Sequence, residues 1–249
     1  VTSRTADRAR KGAEGAAKAR VFYLVRHGET DWNLEPVRCQ GWADVPLNER
    51  GRAQARELGR SLAGRGIELV VTSHLARARE TAELVRDELE RALEASPKAA
   101  GSGVDGETAH APGLTTHVEL RVDERLAETD RGLWESRAFA DIVREDPDTW
   151  REYKDHPETF TFPEGESLAA QQHRVLEAVR DAALTGRVAL LVTHGGSIRL
   201  VRAFLEGRGI ESFHQMRVPN GEALEIDGRS MVRRIDAFLS PPAYAPGTG

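Results

Sequence analysis

The sequence contains a single cysteine, Cys39, in 249 residues, so no internal disulfide can form and no oxidising compartment is required. No apolar run approaches the roughly 18 residues needed to span a bilayer, which excludes a membrane-spanning helix. Positive charge is not in excess either. The formal net charge is −5, so the chain as a whole has no attraction to nucleic acid or to anionic membranes. Residues 1–20 lack the apolar centre of a signal peptide, having no large aliphatic side chain after Val1. They read as a solvated basic tail, and without an aromatic residue they do not suit a nucleic-acid arm. These absences lead us to expect a cytoplasmic protein, monomeric or homodimeric, with neither nucleic-acid nor membrane partners.

The length allows one large domain or two small ones, and a substantial core without staples. Val21-Phe-Tyr-Leu-Val25 is short, apolar and β-rich, as in a strand buried on both faces. Asn48 then caps a helical stretch in which Ala55, Leu58 and Leu62 recur at helical spacing. Ile67–Val71 is a second strand, and Leu75, Ala78, Ala82, Val85 and Leu89 mark the helix after it. Residues 95–118 are rich in Gly, Ala, Pro and Ser without an apolar period, and read as a mobile surface insertion. Helices are expected over 136–146 and 166–184, a third buried strand over Arg187–Val192, and a helix from about Ser197 to Leu205. Ala223–Ile226 and Met231–Ile235 suggest an edge hairpin closed by Asp227-Gly228, before a Pro- and Gly-rich end from Ser240. Strands alternating with helices predict, for residues 21–239, a three-layer α/β/α sandwich with a mostly parallel central sheet. Its ligand site should lie beyond the carboxyl ends of the strands.

Two of the three clearest strands end in a histidine followed by glycine: Arg26-His27-Gly28 and His194-Gly195-Gly196. Neutral imidazole, with an ordinary pKa of about 6.5, suits attack on phosphorus near neutral pH. Phosphoryl oxygens need cationic donors, and arginine grips two at once; Arg26 and Arg77 each stand just beyond a predicted strand. Arg79 competes with Arg77 for that role. A leaving alkoxide needs a proton, which a carboxylic acid can supply. Glu124, Glu128, Asp130 and Glu135 are all candidates from one acidic stretch, whose other reading is a solvated loop. Glu166 reads as a helix N-terminal carboxylate. His110 and His117 fall in the insertion and Cys39 has no paired-ligand spacing, so neither a metal nor another cofactor is expected. For Trp32, Trp42, Trp134 and Trp150 packing is the expectation. Phe160, Phe162 and Pro163 either approach the site as an apolar wall or simply pack.

The motifs resemble one family in order along the chain. Leu24-Val-Arg26-His27-Gly28-Glu29-Thr30 with Asn33 is similar to the signature of the histidine phosphatase (phosphoglycerate mutase-like) superfamily. Similar companion blocks follow: Gly41-Trp-Ala-Asp44 with Pro46, Leu47 and Gly51; Ser73-His-Leu-Ala-Arg77; Leu126-Ala-Glu128 with Gly132-Leu-Trp134-Glu135; Pro163-Glu-Gly165-Glu166-Ser167; His194-Gly195-Gly196; and Pro219-Asn220-Gly221. The resemblance covers residues 21 to about 236 outside the insertion. It implies His27 as the phosphorylated nucleophile, with Arg26, Arg77 and His194 forming the rest of a phosphate pocket. It also implies Glu128 as proton donor, Asn33 as a hydrogen-bond donor to the phosphate, the Gly195 backbone as a further donor, and no metal.

Within that family, Glu128-Thr-Asp-Arg-Gly132-Leu-Trp134-Glu135 is closer to the phosphatase branch than to the Glu-Arg-His-Tyr-Gly run of the mutases. Arg151-Glu-Tyr-Lys154 does not supply the mutases' adjacent arginine pair, and His194-Gly195 differs from the His-Asp of the acid phosphatases. Ser136 stands where phosphatase relatives commonly have glycine, so the local turn is expected to differ. The resemblance implies a metal-independent phosphomonoesterase acting on a small phosphorylated metabolite. The alternatives are mutase-type phosphoryl transfer, a phosphoprotein phosphatase, and a non-catalytic phosphate-binding module.

Overall fold

The computed structural model describes residues 21–95 and 117–240. The basic tail over 1–20, most of the insertion expected at 95–118 and the Pro/Gly-rich end lie outside the described residues. Five strands form one sheet: β1 (Val21–Arg26), β2 (Leu69–Thr72), β3 (Glu119–Val122), β4 (Ala189–Thr193) and β5 (Ala223–Asp227), in the order β3-β2-β4-β1-β5. The first four run parallel and β5 pairs antiparallel on the β1 edge. Leu24 stands opposite Leu191, and Leu191 opposite Val71, so the carboxyl ends of the three central strands finish level.

The alternation of side chains along each strand explains the layers. Phe22, Leu24, Leu69, Val71, Ala189 and Leu191 face one way. They pack on α5 (Leu168–Leu184), α6 (Gly195–Glu206) and α7 (Gly228–Leu239). Tyr23, Val25, Val70, Leu190 and Val192 face the other way, onto α1 (Glu49–Leu62) and α2 (Ala76–Ala95). The expected three-layer α/β/α sandwich is therefore the observed fold. Caps follow the sequence signals: Asn48 accepts from Gly51 N at 2.8 Å and Ser167 from Ala170 N at 3.1 Å. A third cluster, centred on Trp134, Tyr153, Phe160, Phe162 and Phe213, is largely built by the segments between β3 and α5. Those segments include α3 (Phe139–Glu145) and α4 (Pro147–Asp155). Phe160 and Phe162 meet edge to face at 5.0 Å and are almost fully buried, so they pack and do not wall the site.

The structure corrects the sequence in three places. Met231–Ile235 is not the second strand of a hairpin but the middle of α7. Met231, Val232 and Ile235 are buried at spacings of one and four, which is a helical face, and Asp227 accepts from Arg229 N and Ser230 N as an N-cap. The helix expected over 136–146 begins only at Phe139, and α4 follows it at once, with Asp146 as cap and Pro147 at its first position. Ser136 keeps the left-handed backbone that glycine would favour, with φ 64°, donating from N to Cys39 O at 2.8 Å. That conformation costs a non-glycine residue about 1 kcal/mol.

If Asp227 caps α7, Asp227→Ala should lower stability by about 1 kcal/mol and Asp227→Asn should retain most of it. Urea denaturation midpoints of the two variants check this; equal loss in both would contradict the cap.

Candidate active site

β1 and β4 are neighbours, so the residues that follow them are brought together. His27 N donates to Thr193 O at 2.9 Å, carrying the ladder one residue further, and the His27 and His194 ring centroids are 5.1 Å apart. The turn after His27 is pinned from three sides. Gly28 N donates to Thr81 Oγ1 at 3.0 Å, and Asn220 Nδ2 donates to His27 O at 2.6 Å. Gly28 itself lies against α1, where a Cβ would come 2.4 Å from Gly51 O.

His27 Nδ1 lies 2.7 Å from Gly28 O. A carbonyl only accepts, so Nδ1 carries the proton and the lone pair belongs to Nε2. Burial holds the ring's pKa well below the ordinary 6.5, reinforced by the Arg77 and Arg26 charges and by the neighbouring His194 ring. His194 is lowered in the same way, by burial and then by Arg77. Its Nε2 is 2.9 Å from Ser73 Oγ, which already accepts from Leu75 N. His194 Nδ1 has no partner among the described residues.

Among the described residues Arg26 and Arg77 are held by carbonyls and not by carboxylates. Arg26 donates from NH1 to Val218 O at 2.8 Å. Arg77, wholly buried, donates to Ala43 O at 2.8 Å and Gly41 O at 2.7 Å. Burial lowers Arg77 to about 10, with Glu128 and Asp44 opposing, so it stays charged at neutral pH. Asp44 accepts from Ala76 N at 2.6 Å and so anchors the start of the helix that carries Arg77. Arg79 is exposed and outside the site. Six buried side-chain polar atoms lack a partner among the described residues. Five belong to this region: Arg26 Nε, Arg77 Nε, His194 Nδ1, His74 Nδ1 and Gln40 Oε1. Each costs about 1–3 kcal/mol when unpaired, and a tetrahedral oxyanion offers acceptors to the donors among them.

Of the four acidic candidates only Glu128 reaches the cavity beside these groups, a space of ≈ 220 Å³ also walled by Arg26, Asn33, Gly41, Gly195 and Gly196. His27, His194 and Arg77 are buried next to it, each joined in sequence or by a hydrogen bond to one of those walls. Glu135 is occupied by Trp42 N at 2.6 Å, Asp130 by Gly132 N at 3.0 Å, and Glu124 is exposed. Glu128 accepts from Thr129 N, Gln171 Nε2 and Gly196 N at 2.9, 3.1 and 3.0 Å. Burial pushes its pKa up, but the Arg131 charge and these donors outweigh that and bring it down to about 2. In the ligand-free protein Glu128 is a carboxylate. Asn33 Oδ1 is taken by Thr30 N at 3.0 Å, so its amide N–H₂ is the part left for a ligand. Glu166 serves structure, paired to Arg174 and accepting from Asp130 N at 2.9 Å.

Several contributors carried no signal that the sequence made plain. Arg174 donates to the carbonyls of Arg125, Ala127 and Glu128, each at 2.8 Å, fixing the acidic segment. The exposed Trp42 also departs from its expected packing role, its indole donating to Glu128 O at 2.7 Å. Arg131 and Arg199 line the cavity as well. Arg199 could have been found, because it stands four residues after Gly195 on the same helix face.

Two outcomes follow from the electrostatics. His27 should remain a neutral Nδ1–H imidazole as pH falls through 6.5, read from ¹⁵N ring resonances; a ring that takes up a proton at or above 6.5 would contradict the arrangement. Glu128→Gln should bind vanadate about tenfold more tightly, since it removes ~1.4 kcal/mol of repulsion between a carboxylate and an oxyanion. Weaker binding by calorimetry would show that the carboxylate is not charged in the free site.

Residues 22–99 and 106–238 match the histidine phosphatase superfamily (branch 1). Among curated relatives, a 2,3-bisphosphoglycerate-dependent phosphoglycerate mutase of Bradyrhizobium sp. is 33% identical over 193 residues, covering 75% of this chain and 81% of its own. Among solved structures, YhfR of Bacillus stearothermophilus is 30% identical with a TM-score of 0.67, covering 84% of this chain and 91% of that one. A mycobacterial glucosyl-3-phosphoglycerate phosphatase in complex with VO3 is 27% identical with a TM-score of 0.64, covering 83% and 92%. With the paired histidines and arginines at the strand ends, these matches place the chain in the histidine phosphatase superfamily, among phosphoryl-transfer and hydrolytic enzymes.

Proposed function

We propose that the protein is a phosphomonoesterase that hydrolyses a small phosphorylated metabolite through a phosphohistidine at His27. The observation that carries this is the commitment of His27 Nδ1 to Gly28 O, which puts the lone pair on Nε2 beside donors that have no partner among the described residues. Nε2 attacks phosphorus and the P–O bond to the leaving group breaks. Arg26, Arg77 and His194 bear the charge on the phosphoryl oxygens, with the Asn33 amide and the N-terminus of α6 at Gly195 adding donors. Two guanidinium groups supply the positive charge that phosphoryl transfer requires, so the reaction needs no metal.

The leaving alkoxide takes a proton from Glu128. That proton arrives with the substrate: the second ionisation of a phosphate monoester lies near 6, and two anionic groups in one site share a proton. In the second step Glu128, again a carboxylate, accepts a proton from the water that attacks phosphohistidine. Free His27 and inorganic phosphate result.

A mutase reading has one support, the phosphoglycerate mutases among the relatives. It differs only in returning the phosphoryl group to a bound organic acceptor. Phosphate release from a panel of monoesters, in chelator, separates the two. His27→Ala should stay folded and lose at least about 10³-fold in turnover. Full activity in folded His27→Ala would falsify the covalent route. Isomerisation of 3-phosphoglycerate with 2,3-bisphosphoglycerate present, without phosphate release, would establish the mutase instead.

A further inference from the structure

Gln171 is fully buried in the first turn of α5 and touches polar groups from three other segments. Its Nε2 donates to Glu128 Oε1 at 3.1 Å and to Ser197 Oγ at 3.0 Å, and its Oε1 accepts from Thr129 Oγ1 at 2.5 Å. The direction of each bond is fixed by the next. Ser197 Oγ donates to Ala127 O at 3.0 Å, and a carbonyl only accepts. The one hydroxyl proton is thereby used, so Ser197 Oγ must accept from Gln171, and the atom facing it must be nitrogen. The second N–H of the same amide then points at Glu128. A flipped amide would set its oxygen against both Ser197 Oγ and the carboxylate, with no proton between them.

The two oxygens of Glu128 are therefore not equivalent. Oε1 accepts from Thr129 N at 2.9 Å and from Gln171 Nε2, which occupies both lone pairs in its plane. Both donors belong to buried residues. Oε2 accepts only from Gly196 N among the described residues, at 3.0 Å, and Gly196 lines the cavity. One lone pair of Oε2 is free for a proton, and none of Oε1. Positive charge does not make this distinction. Arg131 foremost, with Arg26 and Arg77, favours the carboxylate as a whole. None of the three donates to either oxygen among the described residues. Gln171 and Arg174 stand three residues apart on one face of α5, the first gripping the carboxylate of Glu128 and the second its carbonyl.

We infer that Gln171 is a positioning residue for proton transfer: by filling Oε1 it makes Oε2 the atom of Glu128 that gives and takes the proton. The inference rests on Glu128 acting as acid and base in the reaction proposed above. In the first step the Oε2–H bond breaks as the leaving oxygen gains the proton, and the electron pair stays on Oε2. In the second, Oε2 takes a proton from the water whose oxygen bonds to phosphorus while the His27 Nε2–P bond breaks. Oε1 keeps its two donors throughout. A proton on Oε1 would face Thr129 and Gln171 instead of the leaving group.

Two measurements test this. The first needs no turnover: NMR follows the Gln171 side-chain amide and the Glu128 carboxyl carbon in the free protein and with saturating vanadate. The carboxyl should gain a proton on binding, while the Gln171 amide stays downfield and slow to exchange, because Oε1 still accepts. An amide that moves upfield or loses protection as the carboxyl protonates would place the proton on Oε1 and overturn the inference. A carboxyl that stays ionised would overturn the acid reading of Glu128, and the inference with it. The second measurement compares phenyl phosphate with p-nitrophenyl phosphate, whose leaving group needs a proton less. Thr129 Oγ1 lies 3.3 Å from Glu128 Oε1 and would replace the amide, so Gln171→Met is combined with Thr129→Val. Ser197 Oγ keeps Ala127 O in that variant, so its hydroxyl proton is not left without a partner. The double variant should lose about tenfold in kcat on phenyl phosphate and less than about twofold on p-nitrophenyl phosphate, with KM within about twofold on both. Thr129→Val alone, which keeps the amide, should change the ratio of the two rates less than about twofold. Equal losses on both esters, as from a side chain that only packs, would overturn the inference, as would the full effect in Thr129→Val alone. Glu128→Gln separates the two readings: if it discriminates between the esters and the double variant does not, only the role of Gln171 fails. If the double variant does not fold, the wild-type NMR decides.

Discussion

Arg77 is withdrawn from water and Arg26 largely so, neither with a carboxylate hydrogen-bonded to it among the described residues, and much of the surrounding architecture compensates for that. Carbonyls of Val218, Gly41 and Ala43 satisfy part of each guanidinium while leaving its full charge in place. The same positive charge, added to burial, keeps both histidines neutral. A nucleophilic imidazole and a strongly positive phosphate site would ordinarily conflict only if the imidazole gained a proton. Here the arginines prevent it. Charge suited to an anionic substrate also preserves the lone pair on His27 that the proposed mechanism uses for attack.

The topology explains why these groups meet. β4 lies between β1 and β2, so three parallel strands end side by side and their loops deliver Arg26-His27, Ser73 to Arg77, and His194-Gly195 to one place. The segments after β3 then cover that end, bringing Glu128 over Gly196, where a Cβ would lie 2.2 Å from Glu128 Oε1. Glycine at 196 is what lets the backbone N–H reach the carboxylate at 3.0 Å.

The sequence carried much of this because strand-end motifs are local. Arg26-His27-Gly28 and His194-Gly195-Gly196 each occupy consecutive positions, and the runs before them are long enough in apolar residues to be recognised as strands. Arg131 and Arg199 were harder to see, one within an acidic stretch and the other mid-helix. Their meaning arises only when Tyr153, Phe162 and Phe213 assemble around them from separate segments. The hairpin expected at 223–235 failed for a different reason. Asp227-Gly228 is a strong turn signal, but Asp is equally a helix cap, and over so few residues the apolar period of two or of 3.6 is ambiguous. Burial of Met231, Val232 and Ile235 on one face decided it.

Glu128 gives the site its direction. It is the one acidic residue on the wall of a cavity whose other charged walls, Arg26, Arg38, Arg131 and Arg199, are all cationic. Thr129 N, Gly196 N and Gln171 hold its oxygens, and Arg174 and Trp42 hold its carbonyl, so it cannot swing away to relieve repulsion from an incoming phosphate. In the proposed mechanism the repulsion is instead relieved by a proton, which a group with a pKa of about 2 would not otherwise hold near neutral pH. In the mechanism proposed above, substrate binding is thus the event that converts Glu128 from base to acid, and loss of the leaving group converts it back for the attack of water. A more weakly held carboxylate would keep a proton at the wrong step, and a more exposed one would find it in solvent. The network around Glu128 therefore makes its protonation depend on the ligand.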